Sequence, residues 1–359
     1  MIKRVLGSVV LLACGLTLAG CGGQSDDADQ ASGDTTGPAP INLIFGTGGT
    51  SGTYYPLGGA LKPVFEESPL IDNVQVVATG ASVQNINNIM DGTNQIAVVM
   101  SDVAYDAVHG NNQFAGRPAR IDALAGMFPN VVQIVAMDGS DINSVADMAG
   151  KRVGVGKVGS GVEASAKKLL GAAGLSYDDL AQVSHTGYAD SVTAMGNGNL
   201  DVAFFTSAVP NSAITGLFQN NDAHFVNVAD ATEDKLLADY PYYEHYDIPA
   251  HAPERYDLDT AVHTVAIRNL LIVPASMNED VAHDLAKRFA GYIESDAVSI
   301  GALKTVSPDQ LDQNLVLPVH PGARRFYDEG ESDQSAGQTG GQANSQTDGQ
   351  QGEDTSQAQ

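Results

Sequence analysis

A segment rich in glycine and hydroxyl side chains, at residues 46–56, is a candidate binding site for an anionic group. It reads Gly-Thr-Gly-Gly-Thr-Ser-Gly-Thr-Tyr-Tyr-Pro and follows a short apolar run at 41–45. A strand, such a loop and a helix start present free backbone N–H groups and hydroxyls, and glycine lets the backbone approach a ligand closely. The candidate ligand-binding residues here are Gly48, Gly49, Thr50, Ser51 and Tyr54.

A loop of this composition could also be an ordinary turn or a nucleotide-binding loop. An ordinary tight strand-to-helix turn would have the same composition without any ligand. The loop lacks the Gly-x-x-x-x-Gly-Lys-[Ser/Thr] of a nucleotide-binding P-loop, and its glycines do not fit the dinucleotide fingerprint Gly-x-Gly-x-x-Gly. The sequence therefore predicts no cofactor.

Two further strand-to-helix junctions in the first half carry polar side chains. Ser82 follows the strand-like run at 74–78, and Ser101 with Asp102 follows the run at 96–100. Ser82 and Ser101 are candidate ligand-binding residues, and Asp102 could pair with a ligand ammonium. Helix capping would explain these residues equally well.

The second half repeats the order of strand, loop and helix. The strand predicted at 152–156 is followed by Gly159, Ser160 and Gly161, the counterpart of the first loop, and Thr206 ends a later strand. This repetition predicts a mostly parallel sheet covered by helices, in two α/β lobes. Ligands of open α/β sheets bind beyond the carboxyl ends of the strands, so we expect a cleft there, with Thr206 closing on the ligand.

The sequence shows no pattern for metal binding or catalysis. The eight histidines form neither His-x-x-x-His nor His-x-His, so no zinc site is predicted. Ser160 does not fit the Gly-x-Ser-x-Gly nucleophile elbow, which leaves a serine hydrolase unsupported. No arginine falls within the candidate loops, so we expect neutral donors and helix N-termini to hold a ligand carboxylate.

The ends of the chain predict export and a lipid anchor. Two basic residues and an apolar stretch too short to span a bilayer form a signal peptide at 1–20, and its end, Leu-Ala-Gly-Cys, resembles the bacterial lipobox. Cys21 would carry the lipid, and residues 21–40 would form a flexible tether. An ordinary signal peptide or a free cysteine are the alternatives. The polar segment at 331–359 is predicted to be a disordered acidic tail.

The charge balance limits the class of partner. The formal net charge is −25, from 18 basic and 43 acidic residues. Such a surface argues against nucleic acid and anionic lipid as partners. It suits a protein from a halophilic source, because the screening length falls to about 3 Å at 1 M salt.

Seven segments match one family in order over nearly all of residues 42–328, among them the loop at 46–56 and Thr-Gly-Ala-Ser-Val-Gln-Asn. They lie at 46–60, 79–85, 101–105, 150–156, 159–161, 201–205 and 317–323. On these segments the chain resembles the TAXI-type solute receptors of TRAP transporters, the tripartite ATP-independent periplasmic systems. Ala81 stands where a second glycine is common, and the long acidic tail is unusual.

The resemblance implies a type II periplasmic-binding-protein fold, with a hinge and a ligand cleft between two α/β lobes. Lobe 1 would span 41–138, lobe 2 would span 139–258, and 259–330 would return to lobe 1 and add the C-terminal helices.

It also implies a function. The chain would be a monomeric, lipid-anchored receptor in the periplasm or on the outer face of the cell membrane, and not an enzyme. It would capture a small carboxylate (glutamate or a related amino acid or dicarboxylate) and deliver it to a permease driven by an ion gradient. A ligand-sensing subunit that feeds a membrane signalling protein would have the same cleft and is the alternative. An exported enzyme would need an acid, a base or a nucleophile in the cleft, and the sequence shows no such group of residues.

Overall fold

Strands and helices alternate along the chain, which the computed structural model describes over residues 39–252 and 254–340. The predicted signal peptide, Cys21, most of the tether and the tail beyond residue 340 lie outside the described residues. The strands are β1 (Ile41–Gly46), β2 (Ile71–Val77), β3 (Ile96–Met100), β4 (Ile121–Met137), β5 (Arg152–Gly154), β6 (Gln182–Ser184), β7 (Val202–Ser207), β8 (Ala223–Phe225), β9 (Tyr243–Ile248) and β10 (Val262–Pro274). The helices are α1 (Tyr54–Glu66), α2 (Ser82–Met90), α3 (Ser101–His109), α4 (Gly161–Ala172), α5 (Tyr188–Gly196), α6 (Ser212–Asn220), α7 (Asp230–Asp239), α8 (Glu279–Glu294) and α9 (Pro321–Gly340).

These strands form one mixed sheet in the order β2-β1-β3-β10-β4-β7-β5-β6, with β8 paired to β4 and β9 paired to β10. β1 pairs in parallel with β2 and β3, and β5 pairs in parallel with β6 and β7. β4 and β10 are antiparallel to every strand they pair with. The prediction of a mostly parallel sheet is therefore wrong, because two long antiparallel strands separate two parallel groups.

Strands β4 and β10 run from one parallel group to the other. The first part of β4 pairs with the end of β10, and its last part pairs with β7 and β8. β10 begins beside β9 and ends beside β3. We call β1–β3 with α1–α3 and α8 the first lobe, and β5–β8 with α4–α6 the second lobe. This pair of α/β lobes joined by two crossing strands confirms the predicted type II periplasmic-binding-protein fold, while the predicted boundaries between the lobes stay a prediction.

Helix α1 shows how the core positions the first candidate loop. Leu57, Leu61 and Phe65 recur at steps of four and are fully buried, and the ring of Phe65 lies 6.2 Å from that of Phe45 on β1. Burying a side chain of this size contributes about 1.5–3 kcal/mol. Because α1 packs on β1, both ends of the loop that connects them are held in place.

Helix α9 overlaps the first part of the predicted tail. It continues to Gly340, while the disordered tail predicted at 331–359 stays a prediction. Extending a helix that has already formed costs much less than nucleating one, and no proline interrupts this segment. Among the described residues, no helix combines the length and apolar composition needed to cross a bilayer.

Candidate functional site

A cavity of about 260 Å³ lies between the two lobes. This volume is close to the lower end of the range for small-molecule sites, about 300–1,000 Å³, and indicates a small ligand. The wall includes most of the candidates from the sequence, namely Gly48, Gly49, Thr50, Ser51, Tyr54, Ser82, Ser160, Gly161 and Thr206. Ser101 and Gly159 are not part of the wall.

Four helices begin at this cavity. The first residues of α1, α2, α4 and α5 line it: Tyr54, Ser82, Gly161 and Tyr188. The first turn of a helix carries unpaired N–H groups and a partial positive charge of about +0.5. Four such ends around one small cavity favour an anionic group such as a carboxylate.

A buried asparagine holds the first loop in place. Asn85 donates from Nδ2 to the backbone oxygens of Thr47 at 2.7 Å and Val98 at 2.9 Å. Its Oδ1 accepts from the hydroxyl of Thr79 at 2.7 Å. Asn85 is fully buried, so its side chain ties the ends of β1 and β3 and the loop before α2 together. The geometry of the loop is therefore largely formed before a ligand arrives.

The start of α2 differs from a simple cap. Ala81 is the capping residue and has a positive φ of 74°, a conformation that is unusual for a residue with a side chain and that recurs at functional sites. Ser82 does not cap α2, because its hydroxyl accepts the N–H of Met100 at 3.1 Å. Ser82 thus joins the starts of α2 and α3 at the cavity wall.

The second loop forms a capped helix start. The hydroxyl of Ser160 accepts the N–H of Glu163 at 3.1 Å, and Glu163 Oε2 accepts the N–H of Gly159 at 2.8 Å. This arrangement leaves the hydroxyl proton of Ser160 to donate to a ligand. The N–H of Gly159 is bonded within the loop and is therefore not free to donate to a ligand. The spacing of Ser160 and Glu163 in the sequence is a signal for this cap.

A chain of hydrogen bonds at the crossing strands orients Asn130, a cavity residue that the sequence analysis missed. Asn269 donates from Nδ2 to the oxygen of Phe128 at 3.0 Å, so its Oδ1 faces Tyr54 and accepts the Tyr54 hydroxyl at 2.5 Å. The Tyr54 oxygen then accepts Nδ2 of Asn130 at 3.2 Å. Asn130 Oδ1 is buried and has no partner among the described residues. The hydroxyl of Tyr54 is therefore not free to donate to a ligand.

Thr206 offers a second buried atom without a partner. Tyr188 holds its backbone from both sides, because the Tyr188 hydroxyl donates to the Thr206 oxygen at 2.6 Å and accepts the Thr206 N–H at 3.1 Å. Thr206 Oγ1 is buried and has no partner in the part of the chain that the structure describes. Unpaired buried polar atoms cost about 1–3 kcal/mol each, and a ligand that pairs with them recovers this energy.

Two opposite charges lie at the edge of the cavity, and the sequence analysis predicted neither. Lys157 and Asp190 both line it and are both exposed. Lys157 Nζ and Asp190 Oδ2 each lie within 4 Å of the position where a Cβ on Gly187 would be. Lys157 adds a cation to the neutral donors expected from the sequence. Lys157 directly follows the strand predicted at 152–156, and this position is a signal in the sequence. Asp190, on α5, has no such signal.

Asp102 faces away from the cavity. Its Oδ1 accepts the N–H of Val103 at 2.8 Å, and its Oδ2 accepts Lys168 Nζ at 2.8 Å. Asp102 is fully buried and is not part of the wall, so it does not meet a ligand ammonium there. Ser101 is buried beside it at the start of α3, where Met100 takes the place on the wall.

Comparison with known proteins gives one family and several distant structures. A model of the NMT1-like family matches residues 45–330. The chain is similar to the alkanesulfonate-binding protein SsuA from Xanthomonas axonopodis pv. citri bound to MOPS, with 16% identity, 81% of this chain and 85% of that chain covered, and a TM-score of 0.47.

It is also similar to an ancestral arginine-binding protein bound to arginine (14% identity, 71% and 94% covered, TM-score 0.45). A third similar structure is described as a putative L-cystine ABC transporter from Listeria monocytogenes. The identity is 13%, 76% of this chain and 97% of that chain are covered, and the TM-score is 0.45. At these scores the likenesses carry no argument about the ligand.

Proposed function

This chain belongs to the NMT1-like family, and from the chemistry of its cleft we propose that it is an extracytoplasmic solute-binding protein. Its ligand is a small carboxylate that also carries an ammonium group, such as glutamate or a related amino acid. The protein captures this ligand between its lobes and delivers it to a TRAP permease driven by an ion gradient. The permease and the lipid anchor at Cys21 rest on the resemblance to TAXI-type receptors and on Leu-Ala-Gly-Cys.

The observation that carries the proposal is a pair of unpartnered buried atoms in two residues that line the cavity. Asn130 Oδ1 can only accept a hydrogen bond, so it requires a donor such as an ammonium. Thr206 Oγ1 can donate to a carboxylate oxygen. A ligand that bears both groups satisfies both atoms, and a ligand with carboxylates alone leaves Asn130 unpaired.

The charges around the cavity support the same chemistry. The four helix starts and Lys157 favour the carboxylate. Asp190 at the edge of the cavity favours an ammonium. Each charged group of a zwitterionic ligand therefore has an opposite charge nearby in the cavity.

Contacts between the lobes support capture by closure. Thr53 Oγ1 in the first loop accepts the N–H of Ala208 from the second lobe at 3.2 Å. A Cβ on Gly161 of α4 would lie 2.2 Å from Met100 Sδ, so glycine permits the close approach of the two lobes here. A ligand between these surfaces touches both lobes and stabilises their closed arrangement.

The test is isothermal titration of the protein, at high and low salt, against a panel of amino acids and dicarboxylates. Glutamate and glutarate form the central pair, because glutarate has both carboxylates and lacks the ammonium. We expect the amino acid to bind more tightly than its partner without the ammonium. Tighter binding of the dicarboxylates would contradict the role of Asn130, and no binding by any member would contradict the ligand class.

A further inference from the structure

Two histidines and one aspartate lie together on an exposed face of the β9–β10 ladder, far along the chain from the cleft loops. We call His245, Asp247 and His263 the His–Asp–His cluster. His245 and Asp247 are two residues apart on β9 and therefore share a face. His263 on β10 is the direct partner of Asp247 in the register. All three side chains are exposed.

One carboxylate oxygen connects the two rings. Asp247 Oδ1 lies 2.6 Å from His263 Nδ1 and 3.2 Å from His245 Nε2. The rings are stacked with an interplanar angle of 27° and centroids 6.3 Å apart. The three potential ligand atoms all lie within 4.8 Å of one another, so two nitrogens and one oxygen already converge on one region.

A buried glutamate orients one of the histidines. Glu233 on α7 is 8% exposed, and its Oε1 lies 2.7 Å from His245 Nδ1. This contact makes Nδ1 the donor, so Nε2, which lies 3.2 Å from Asp247 Oδ1, is the ring nitrogen left to bind a metal ion. Histidines that bind metals regularly use their other ring nitrogen in this way, on a carboxylate. The cluster therefore has a supporting residue in addition to its three donor atoms.

We propose that the His–Asp–His cluster binds a divalent transition-metal ion of the zinc type through His245 Nε2, His263 Nδ1 and Asp247 Oδ1. Two imidazole nitrogens with one carboxylate oxygen suit Zn²⁺, whereas Ca²⁺ and Mg²⁺ take oxygen ligands. Metal–ligand bonds of about 2.0–2.2 Å in a tetrahedron set the ligand atoms about 3.3–3.6 Å apart. The 2.6 Å contact between Asp247 and His263 needs to open by about 0.7–1 Å, which exposed side chains achieve by small rotations. A water molecule takes the fourth position.

A second histidine–aspartate pair, His224 with Asp138, serves as a comparison for the His–Asp–His cluster. His224 Nδ1 lies 2.6 Å from Asp138 Oδ1, and His224 Nε2 lies 2.9 Å from the backbone oxygen of Ile142. Both ring nitrogens are engaged there, and the described residues bring no second histidine to that pair. His224 is therefore a matched control, with the same ion-pair distance and no converging set of donors.

A bound ion would connect three elements. Among the described strands, β9 pairs only with β10, and Glu233 links His245 to α7. The metal ion would link β9 to β10 through their side chains, in addition to the pairing of the two strands. The spacing of the histidines along the chain predicts no zinc site, because a register between strands cannot be read from that spacing.

The test is a Zn²⁺ titration of the full chain in competition with a chromogenic chelator, with thermal unfolding as a second readout. We expect about one Zn²⁺ per chain and a higher Tm with Zn²⁺, and no change in Tm with Ca²⁺. His263→Ala and Asp247→Asn should each weaken Zn²⁺ binding by at least about 10-fold, and Glu233→Gln by about 10–100-fold. His224→Ala should bind Zn²⁺ as the wild type does.

Two outcomes overturn the proposal. The first is a wild-type chain that does not bind Zn²⁺ in competition with the chelator. The second is equal Zn²⁺ affinity in the wild type, His263→Ala and Asp247→Asn, which would place the bound ion elsewhere. Because the three side chains of the cluster are exposed, we expect these variants to keep the fold, and circular dichroism is the measurement that checks it.

Discussion

Lys168 Nζ on α4 lies 2.8 Å from Asp102 Oδ2 on α3, and both side chains are almost completely buried. Asp106 Oδ2 lies 3.4 Å from the same ammonium, and Tyr243 donates its hydroxyl to Asp102 at 3.2 Å. Since α3 belongs to the first lobe and α4 to the second, this ion pair joins the lobes. The aspartate that the sequence suggested for a ligand ammonium is thus occupied by a lysine of the protein itself.

Replacing this lysine should destabilise the fold strongly. Burial lowers the pKa of Lys168, but Asp102, Tyr242 and Asp106 raise it by more, so the net shift is upward and the side chain is charged at neutral pH. Lys168→Met leaves two buried carboxylates without their cation, and we expect the free energy of unfolding to fall by about 3–5 kcal/mol. Urea denaturation measures it. The control is Lys167→Met, whose half-exposed side chain should contribute about 0–1 kcal/mol.

Sequence reasoning located the loops of the cleft because their signals are local. Gly48 to Ser51 and Ser160 with Gly161 occur where a strand ends and a helix begins, and both features are visible within a dozen residues. Thr206 was found for the same reason, at the end of β7.

Asn130 could not be found in this way. It lies inside a strand of 17 residues whose other side chains are mostly apolar, and it reaches the cavity only because β4 crosses between the lobes beside Tyr54. The His–Asp–His cluster has no local signal for a similar reason, since it forms only through the register that pairs residue 263 on β10 with residue 247 on β9. Contacts that depend on the register between two strands, or on a strand that crosses between the lobes, leave no local pattern in the sequence.

Ala81 should be a site at which glycine stabilises the protein. Its φ of 74° and ψ of −141° lie in a region that favours glycine, and such strain costs about 1–3 kcal/mol. We expect Ala81→Gly to raise the free energy of unfolding by about 1 kcal/mol. Ala60→Gly, within α1, is the control and should lower it by about 0.5–1 kcal/mol. A loss of stability in both variants would show that Ala81 is not strained.

The pair formed by Arg152 and Asp201 should make stability depend on acid pH. Hydrogen bonds from Arg152 hold the pKa of Asp201 below its ordinary value, with the Arg152 backbone N–H 2.7 Å from Asp201 Oδ2. A lowered folded-state pKa means that the stabilisation is present above the unfolded value of about 3.9 and is lost as the pH falls through the folded value.

Asp201→Asn should therefore lower the free energy of unfolding at pH 7 by about 1 kcal/mol. The difference from the wild type should shrink toward pH 3. Denaturation at constant salt across this range measures it, and a difference that does not change with pH would refute the assignment.

Cys21 should be the site of the lipid anchor. The short apolar segment and Leu-Ala-Gly-Cys motivate this prediction, and several acyl chains hold a protein on a membrane more firmly than one. Cys21→Ser should release folded protein into the soluble fraction or leave it unprocessed. Fractionation with immunodetection distinguishes these results from a variant that is cleaved and still membrane-bound, which would require another attachment.

The two unpartnered atoms of the cleft should determine ligand affinity. Thr206→Val keeps the shape of the side chain and removes its hydroxyl, and Asn130→Ala removes the acceptor. Each should weaken binding of the amino acid by about 1–3 kcal/mol, or about 5–150-fold. Thr193→Val is the matched control, because Thr193 is exposed and its hydroxyl bonds only within α5.

Asn130→Ala should weaken binding of the amino acid more than binding of its analogue without the ammonium, since only the ammonium pairs with Asn130 Oδ1. If titration finds wild-type affinity in both cleft variants while Thr193→Val behaves normally, the ligand does not bind against these two atoms.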